Sequence, residues 1–344
     1  MKFHSKRVAA MAALVLTSAL ALSACGSDAN DDGDNGGSAG GKTTVTFLPK
    51  NLGNPYFDTS AKGGERAVDE FGGTFDEVGP QEGSPDAQVQ YINTAAQQGV
   101  NALVVSANDP DALCDAIDEA RDAGTKVVTF DADTNADCRD LFINQATAEG
   151  IAKVQVDIIA EQIGDAGEIA ILSATANATN QNAWIELMKQ ELADNHPNIE
   201  LADTVYGDDD DQKSFDQTAA LLQNRPNLKG IISPTTVGIA AAARYISDSN
   251  FKGKIALTGL GTPNQMRDYV TDGTVKEFAL WNPEDLGYLA AFAAKALADG
   301  DIEGEAGETF EAGDLGEFTI EDDGSVLLGE PYRFNAENIE EFNF

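Results

Sequence analysis

Short apolar runs alternate with longer segments of helical period from Thr44 to the end of the chain. Two of the runs, Val104-Val105 and Val127-Val128, lack polar alternation, which is typical of strands that are covered on both faces. Strands of that kind alternating with helices indicate an α/β fold built on doubly wound parallel sheets. Because the pattern restarts near residue 146, we predict two such lobes in one chain.

Apolar runs and helical periods also give approximate bounds for each element. We predict strands at 44–48, 74–78, 102–107, 126–130, 141–144, 168–173, 199–205, 230–233, 255–259 and 276–280. We predict helices at 54–71, 85–98, 110–123, 146–163, 180–195, 213–224, 237–247, 264–271 and 284–298. Asp109 before Pro110 indicates a helix N-cap. The segment from Glu317 indicates antiparallel strands around the turn Asp322-Asp323-Gly324.

The N-terminus has the features of an export signal. Lys2, Lys6 and Arg7 precede an apolar stretch that ends in Leu22-Ser23-Ala24-Cys25. The stretch is too short for a stable membrane span, and small residues before the cysteine fit a cleavage site. We therefore predict a signal peptide at 1–25. An ordinary signal peptide followed by a chance cysteine is the alternative.

The rest of the chain is strongly acidic. The formal charge is −36, and loss of the three basic leader residues, with no acid among them, takes it to −39. A field of that sign repels nucleic acid and anionic lipid headgroups, so neither is an expected partner. Residues 26–41 are almost wholly Gly, Ser, Asp, Asn and Ala, which predicts a flexible linker at 26–43.

Cysteine usage agrees with export. Apart from Cys25, the chain has only Cys114 and Cys138, an even pair in an oxidising compartment. A bridge between them would close a loop of about 24 residues and stabilise the fold by about 3 kcal/mol. We predict the disulfide, with two buried free thiols as the alternative.

Polar and aromatic side chains follow the predicted strands at the point where each strand ends. Ligands of open α/β sheets bind beyond the carboxyl ends of the strands, and two lobes form a cleft there. Carboxylates, amides and a lysine bind hydroxyl groups, and an aromatic face covers the apolar side of a sugar ring. From position, Asp131 is a candidate ligand contact and Trp281 a candidate stacking surface. The strand-end segments are 49–57, 108–109, 131–133, 180–182, 234–236 and 281–282.

Several of these side chains also have a structural explanation. Asp109 is expected to cap a helix and Lys50 fits a solvated loop. Phe57 and Trp184 fit a helix face that packs in a core. The acidic run Asp208–Asp211 is expected to be a solvated helix start rather than a metal site.

No catalytic signature is present in the sequence. His4 lies in the predicted leader, and His196 beside Pro197 is expected to be exposed. There is no serine or cysteine elbow, no metal-ligand cluster and no phosphate-binding glycine loop. The carboxylate pair Asp131 and Asp133 could in principle perform acid–base work, but we predict that it does not. We therefore predict no enzyme, no cofactor and no metal.

Five phrases carry a family resemblance: Phe47-Leu48-Pro49-Lys50, Ile143-Asn144-Gln145, Asn180-Gln181-Asn182-Ala183-Trp184, Gly261-Thr262-Pro263-Asn264 and Phe334-Asn335-Ala336-Glu337-Asn338-Ile339. From about residue 44 to 344 the chain resembles the periplasmic binding protein type I family of sugar ABC importers. The similarity is greatest to the branch that binds rhamnose and autoinducer-2, whose cysteine pair also falls at Cys114 and Cys138. Leu22–Cys25 is similar to the lipobox of bacterial lipoproteins, which implies a lipid on Cys25.

The resemblance also implies a set of site residues. Autoinducer-2 is bound in that branch by a lysine, two aspartates, a glutamine, a proline and an alanine. Here Asn180 replaces the second aspartate and Thr236 the alanine, and 233–239 is more similar to the rhamnose-binding proteins, so we predict rhamnose. The predicted ligand-binding residues are Lys50, Asn54, Phe57, Asp131, Asn180, Gln181, Pro234, Thr236 and Trp281.

Lobe composition and partners follow from the same resemblance. One lobe is expected to comprise 44–145 with 282–310, and the other 146–281 with 311–344. Three connections are expected between the lobes, near Gln145, near Trp281 and in the tail. The expected partners are a sugar and the permease subunits of an ABC importer. The protein is expected to be a monomer on the outer face of the cell membrane, held there by Cys25.

Other functions remain possible from the sequence. The ligand alternatives are autoinducer-2 and another pentose or furanose, and the chain could be a sugar receptor for a sensor kinase instead of an importer component. A secreted glycosidase would reveal itself by turnover of glycosides. A sugar-responsive repressor would need a basic helix-turn-helix before Thr44, and the acidic linker excludes it.

Overall fold

The computed structural model describes residues 42–344. The predicted signal peptide, Cys25 and almost all of the predicted linker lie outside the described residues. Within 42–344, no helix is both long enough and apolar enough to cross a membrane.

The described chain alternates strands and helices. The strands are β1 (Thr44–Leu48), β2 (Thr74–Glu77), β3 (Ala102–Val105), β4 (Lys126–Phe130), β5 (Leu141–Asn144), β6 (Gly167–Ser173), β7 (Ile199–Tyr206), β8 (Leu228–Ser233), β9 (Ala256–Gly259), β10 (Glu277–Leu280), β11 (Thr309–Glu311), β12 (Glu317–Thr319), β13 (Ser325–Leu327) and β14 (Tyr332–Asn335). The helices are α1 (Pro55–Glu70), α2 (Pro85–Gln98), α3 (Cys114–Asp122), α4 (Ala148–Ile163), α5 (Thr179–Asn195), α6 (Asp211–Asn224), α7 (Thr236–Ser247), α8 (Pro263–Thr271) and α9 (Pro283–Asp299).

The first sheet has six parallel strands in the order β13-β5-β4-β3-β1-β2. Helices α1 and α9 cover one face, and α2 and α3 cover the other. Val104 and Val128 belong to the core on the α1 side, whereas Leu103 and Val127 belong to the core on the α2 side. Both faces are therefore buried, which is why these strands lack polar alternation.

The second sheet has four parallel strands in the order β7-β6-β8-β9. Helices α4 and α7 pack against its strands, with α5 beside α4 and α6 beside α7. β10 and β14 form an antiparallel pair, and a bridge from Ala279 to Leu260 joins β10 to the end of β9. The predicted α/β class with two parallel-sheet lobes is confirmed.

Three short connections join the two lobes. The chain passes from β5 to α4 through 145–147, from β10 to α9 through 281–282, and from β13 to β14 through 328–331. β13 pairs with β5 and so belongs to the first sheet, whereas the sequence assigned all of 311–344 to the second lobe. The guanidinium of Arg139 donates to the carbonyls of Gly324 (2.9 Å) and Asp323 (3.3 Å), which holds the turn before β13 against the first lobe.

Two local differences from the predicted elements have clear causes. Asp109 caps a turn instead of a helix, because its carboxylate accepts from the amides of Asp111 (3.0 Å) and Ala112 (2.9 Å). Helix α3 therefore begins only at Cys114. The tail turns at 322–324 as expected, but β13 then runs parallel to β5 and does not form a hairpin with β12.

The predicted disulfide between Cys114 and Cys138 is present. The two Cα atoms lie 5.2 Å apart and the residues are separated by 24 positions. The bridge joins the start of α3 to the short 3₁₀ turn that precedes β5. It therefore ties together two elements of the first lobe beside the sheet.

Helices α1 and α9 approach each other unusually closely through glycines. A Cβ on Gly63 would lie 1.8 Å from the carbonyl oxygen of Glu284, and a Cβ on Gly287 would lie 1.8 Å from that of Ser60. Only glycine allows backbones to come this near. Since α1 begins beside Asn54 and α9 begins just after Trp281, this contact fixes the starts of both helices.

Candidate functional site

The carboxyl ends of both sheets face one cavity. Its unfilled space is about 390 Å³, part of it open to solvent. In the first sheet β1 lies between β2 and β3, so the strand order reverses at β1, where ligands of such sheets bind. Lys50 follows β1 directly and lines the cavity. The position agrees with the strand-end rule.

All nine residues predicted to bind a ligand line this cavity. They are Lys50, Asn54, Phe57, Asp131, Asn180, Gln181, Pro234, Thr236 and Trp281. Six further residues complete the lining: Tyr56, Trp184, Asp209, Thr235, Leu260 and Leu280. The structure thus brings the predicted set together from both lobes. Their role in binding stays a prediction.

Lys50 and Asp131 form the polar centre on the first lobe. The ammonium of Lys50 lies 3.5 Å from Oδ2 of Asp131, and the two side chains are 13% and 8% exposed. The hydroxyl of Ser106 at the end of β3 donates to the same Oδ2 at 2.8 Å. The carboxylate is therefore oriented by a hydroxyl and a cation on Oδ2.

The backbone of Asp131 is left-handed, with φ of 61°. Four non-glycine residues in 42–344 have positive φ, and two of them, Asp131 and Asp209, line the cavity. Aspartate tolerates this region better than most residues, but the conformation still costs free energy. The side-chain amide of Gln145, in the first connection, donates to the carbonyl of Asp131 at 3.2 Å and supports this turn.

Asn180 and Gln181 contribute from the start of α5 on the second lobe. Oδ1 of Asn180 accepts from Lys50 at 3.3 Å, and its amide lies 3.4 Å from the carbonyl oxygen of Asp131. Both contacts join the two lobes. Oε1 of Gln181 accepts from the hydroxyl of Ser173 (2.7 Å) and the amide of Ala174 (2.9 Å). With Oε1 occupied, the Gln181 amide nitrogen is its donor toward the cavity.

Aromatic side chains form the apolar wall. The indole nitrogen of Trp281 donates to the hydroxyl of Tyr56 at 2.9 Å, and the two rings meet edge to face at 6.1 Å. Trp184 packs against Trp281 at 6.1 Å. Burial raises the pKa of Tyr56, and the nearby Asp131 carboxylate raises it further. Tyr56 is therefore a neutral phenol that can donate a hydrogen bond at neutral pH.

Asp209 is a lining residue that the sequence analysis missed. We expected the run Asp208–Asp211 to be a solvated helix start, and that is wrong for Asp209, whose carboxylate accepts from the hydroxyl of Thr235 in the cavity. Asp210 does cap α6, accepting from the amide of Lys213 at 2.7 Å. The available signal was position, since the run follows β7 as the other lining segments follow their strands.

The remaining strand-end residues lie elsewhere. Asp133 forms an ion pair with buried Arg139 at 2.8 Å and does not line the cavity, whereas Asp131 reaches it through a left-handed backbone. The side-chain amide of Asn108 donates to the carbonyl of Lys50 at 2.9 Å. Asn108 lines a wider opening of about 1500 Å³ that shares Lys50, Gln181 and Asp209 with the cavity. This opening is the mouth of the cleft.

His196 is less exposed than we predicted. Its side chain is 17% exposed and Nδ1 lies 2.6 Å from Oδ1 of Asp165. Together with Asp157 and Glu191 it forms a group with metal-ligand spacing. The ammonium of Lys153 lies 2.8 Å from Asp157 and 3.5 Å from Glu191, so a cation of the protein already neutralises these acids.

A family model described as a periplasmic binding protein domain matches residues 45–302. The chain belongs to this family. The resemblance inferred from the sequence is thereby confirmed.

Solved structures support the same assignment at different levels of identity. A sugar ABC transporter protein from Actinomyces odontolyticus is 56% identical, with a TM-score of 0.73, over 88% of this chain and 98% of that one. A solute-binding protein from Clostridium phytofermentas with bound L-rhamnose is 39% identical, with a TM-score of 0.84 and the same coverage. LsrB from Clostridium saccharobutylicum, in complex with AI-2, is 25% identical, with a TM-score of 0.84, over 88% and 100%.

Proposed function

We propose that this periplasmic binding protein captures a neutral monosaccharide, with L-rhamnose as the first candidate, and delivers it to an ABC importer. The observation that carries the proposal is the convergence of Lys50 and Asp131 from one lobe with Asn180 and Gln181 from the other on one cavity. Binding without catalysis is the proposed activity.

The chemistry of the cavity suits a sugar. Asp131 supplies a buried carboxylate acceptor, Lys50 a charged donor, and Gln181 an amide donor. Such groups replace the water that a sugar loses, and a ligand lacking one hydroxyl would leave a buried partner unpaired. Specificity would therefore come from matching hydroxyl positions, not from net charge alone.

L-rhamnose is favoured over the alternatives for two reasons. The chain is 39% identical to a protein solved with L-rhamnose and 25% identical to one solved with AI-2. Rhamnose is a 6-deoxy sugar, and its methyl group needs an apolar wall. Trp281, Leu260 and Leu280 supply that wall beside the polar groups.

The proposed mechanism is closure of the two lobes around the sugar. The Lys50–Asn180 hydrogen bond already crosses between the lobes, so the described conformation is a closed one. A sugar that contacts both lobes favours this form by its differential affinity for it. The permease subunits would recognise the closed form.

We further propose that the protein is exported and is anchored on the outer face of the cell membrane by a lipid on Cys25, and that it acts as a monomer. Two acyl chains on one cysteine suffice for a lasting anchor, whereas one chain would bind only marginally. The net charge of −36 argues against nucleic acid as a partner.

A thermal-shift screen followed by calorimetry tests the sugar assignment. The panel comprises L-rhamnose, AI-2, ribose, xylose, fucose and arabinose. A ligand that binds only the native state raises the melting temperature, so L-rhamnose should give the largest shift. The same ligand should reduce the radius of gyration in solution scattering. A panel without any shift would contradict the proposal, and a larger shift with AI-2 would reassign the ligand.

A receptor for a sensor kinase would use the same site. Uptake of labelled L-rhamnose by cells with and without the gene separates the two possibilities. Loss of uptake on deletion supports import, whereas unchanged uptake with a lost transcriptional response supports sensing.

A further inference from the structure

We infer that Asp209 is a second carboxylate contact of the ligand, supplied by the second lobe opposite Asp131. The pair restricts the site to uncharged polyhydroxy ligands and excludes sugar acids. The inference deepens the proposed function and rests on it.

The local backbone turns Asp209 inward. Asp208 and Asp209 have φ of 56° and 51°, two left-handed residues in succession directly after β7. The residues on either side of Asp209 remain at the surface: Asp208 pairs with Lys213, and Asp210 caps α6. Consecutive left-handed non-glycine residues are costly, and such conformations cluster at functional sites. Here the left-handed backbone directs the carboxylate of Asp209 into the cavity, while those of Asp208 and Asp210 stay at the surface.

Asp209 lacks a cationic partner within residues 42–344. Its one side-chain hydrogen bond in this range comes from the Thr235 hydroxyl. Lys50 lies in the same cavity but pairs with Asp131 at 3.5 Å and donates to Asn180 at 3.3 Å. A carboxylate offers about four acceptor positions, so most of the capacity of Asp209 is free and faces the cavity.

An enclosed carboxylate of this kind is unfavourable in the empty protein. Burial raises the pKa of Asp209, and the carboxylates of Asp131 and Asp208 raise it further, against the Thr235 hydrogen bond and the Lys50 charge, which lower it. Ligand hydroxyls that donate to it would relieve this cost. The second lobe thus presents to the sugar the same acceptor chemistry that Asp131 presents from the first.

The charged side chains that line the cavity limit the class of ligand that it can bind. Among residues 42–344, Lys50 is the one cation lining the cavity, against the two carboxylates Asp131 and Asp209. An anionic ligand would add a third negative charge at close range and would be repelled. A neutral sugar with hydroxyls on both sides of its ring can donate to both carboxylates.

The test compares Asp209→Asn with Asp216→Asn, since Asp216 is exposed on α6 and lines neither the cavity nor its opening. Asparagine accepts a left-handed backbone and keeps an acceptor for Thr235, so the fold is preserved while the charge is removed. We expect Asp209→Asn to weaken L-rhamnose binding about tenfold or more in calorimetry. Asp216→Asn, where the side chain contacts exposed Gln212, should change affinity by no more than about twofold.

Stability of the ligand-free protein distinguishes a ligand contact from a structural role. Because the folded-state pKa of Asp209 is raised, its ionisation destabilises the fold as pH rises past the unfolded-state pKa. Asp209→Asn should therefore unfold at an equal or higher temperature at pH 7 than the wild type while binding less sugar. A fall in both affinity and ligand-free melting temperature would make the residue structural and overturn the inference.

A second experiment compares the binding of a sugar acid with that of the neutral sugar. The wild type should bind L-rhamnonate far more weakly than L-rhamnose, and Asp209→Asn should narrow that difference. Equal binding of the acid and the sugar by the wild type, or unchanged L-rhamnose affinity in Asp209→Asn, overturns the inference alone. A wild type that binds no neutral sugar overturns the proposed function and this inference together.

Discussion

At the residue scale, the two aspartates that follow β4 have different roles: one lines the cavity and the other forms a buried ion pair. Asp131 turns into the cavity through a left-handed backbone, and Asp133 turns away to pair with Arg139 at 2.8 Å. Arg139 is 5% exposed on its side chain, so Asp133 neutralises a buried charge. One residue should therefore control binding and the other stability.

Replacing each aspartate by asparagine separates these effects. Asp131→Asn keeps the left-handed turn but removes the charge that faces Lys50, so L-rhamnose affinity should fall by about 2 kcal/mol with a small change in melting temperature. Asp133→Asn should instead lower the melting temperature, because buried Arg139 loses its partner, and leave affinity nearly intact. Calorimetry and thermal unfolding of both variants decide this. Wild-type affinity in Asp131→Asn would remove Asp131 from the site.

The residues around the cavity were largely predictable because they obey a topological rule. Lys50, Asp131 and Trp281 each follow a strand, and parallel strands present their carboxyl ends together. Asp209 also follows a strand, but its direction depends on two successive left-handed residues. Nothing in a run of four aspartates indicates which member adopts that backbone, so local charge suggested a solvated segment.

At the element scale, α1 and α9 determine where the site begins. The carboxamide oxygens of Asn54 and Asn282 cap these helices, accepting from backbone amides at 3.1 Å and 3.0 Å. The glycine contact then fixes the separation of the two helices near those caps.

Strand bounds were predictable from apolar runs, whereas α3 began later than predicted because Asp109 caps a turn. A capping residue does not by itself reveal how many residues of turn follow.

Gly287→Ala tests the close approach of α1 and α9. The added methyl would lie 1.8 Å from the carbonyl oxygen of Ser60, so the helices must separate. We expect a loss of about 1–3 kcal/mol in the free energy of unfolding, measured by denaturant titration. Gly329→Ala is the matched control, since a Cβ there has no atom within 4 Å and no strained backbone. Equal stability of the two variants would show that the helices can move apart freely.

At the scale of the whole molecule, the proposed membrane anchor lies in a segment apart from the two lobes. The lobes occupy 44–344, and Cys25 precedes them across the acidic, glycine-rich linker. The glycine-rich composition of 26–43 predicts a flexible linker, which would let the lobes turn toward a permease without constraining closure. Anchoring and sugar binding should therefore be separable.

Cys25→Ser tests the anchor. The variant should move from the membrane fraction to the soluble fraction or the medium, with unchanged L-rhamnose affinity, because a single hydroxyl cannot carry the lipid anchor. Joint replacement of Cys114 and Cys138 by serine is the control. It should leave the protein at the membrane while lowering the free energy of unfolding by about 3 kcal/mol. Membrane association of Cys25→Ser at the wild-type level would contradict anchoring through this residue.

The tail has a consequence for the order in which the protein is made. β13 is the outer strand of the first sheet, and β14 pairs with β10 in the second lobe. Both strands come from the last part of the chain, after residue 324. The first sheet cannot be completed before residues 325–327 are made, and β10 has no partner strand before residues 332–335 are made. Late completion of both sheets agrees with the proposed export, because a translocation channel passes an unfolded chain.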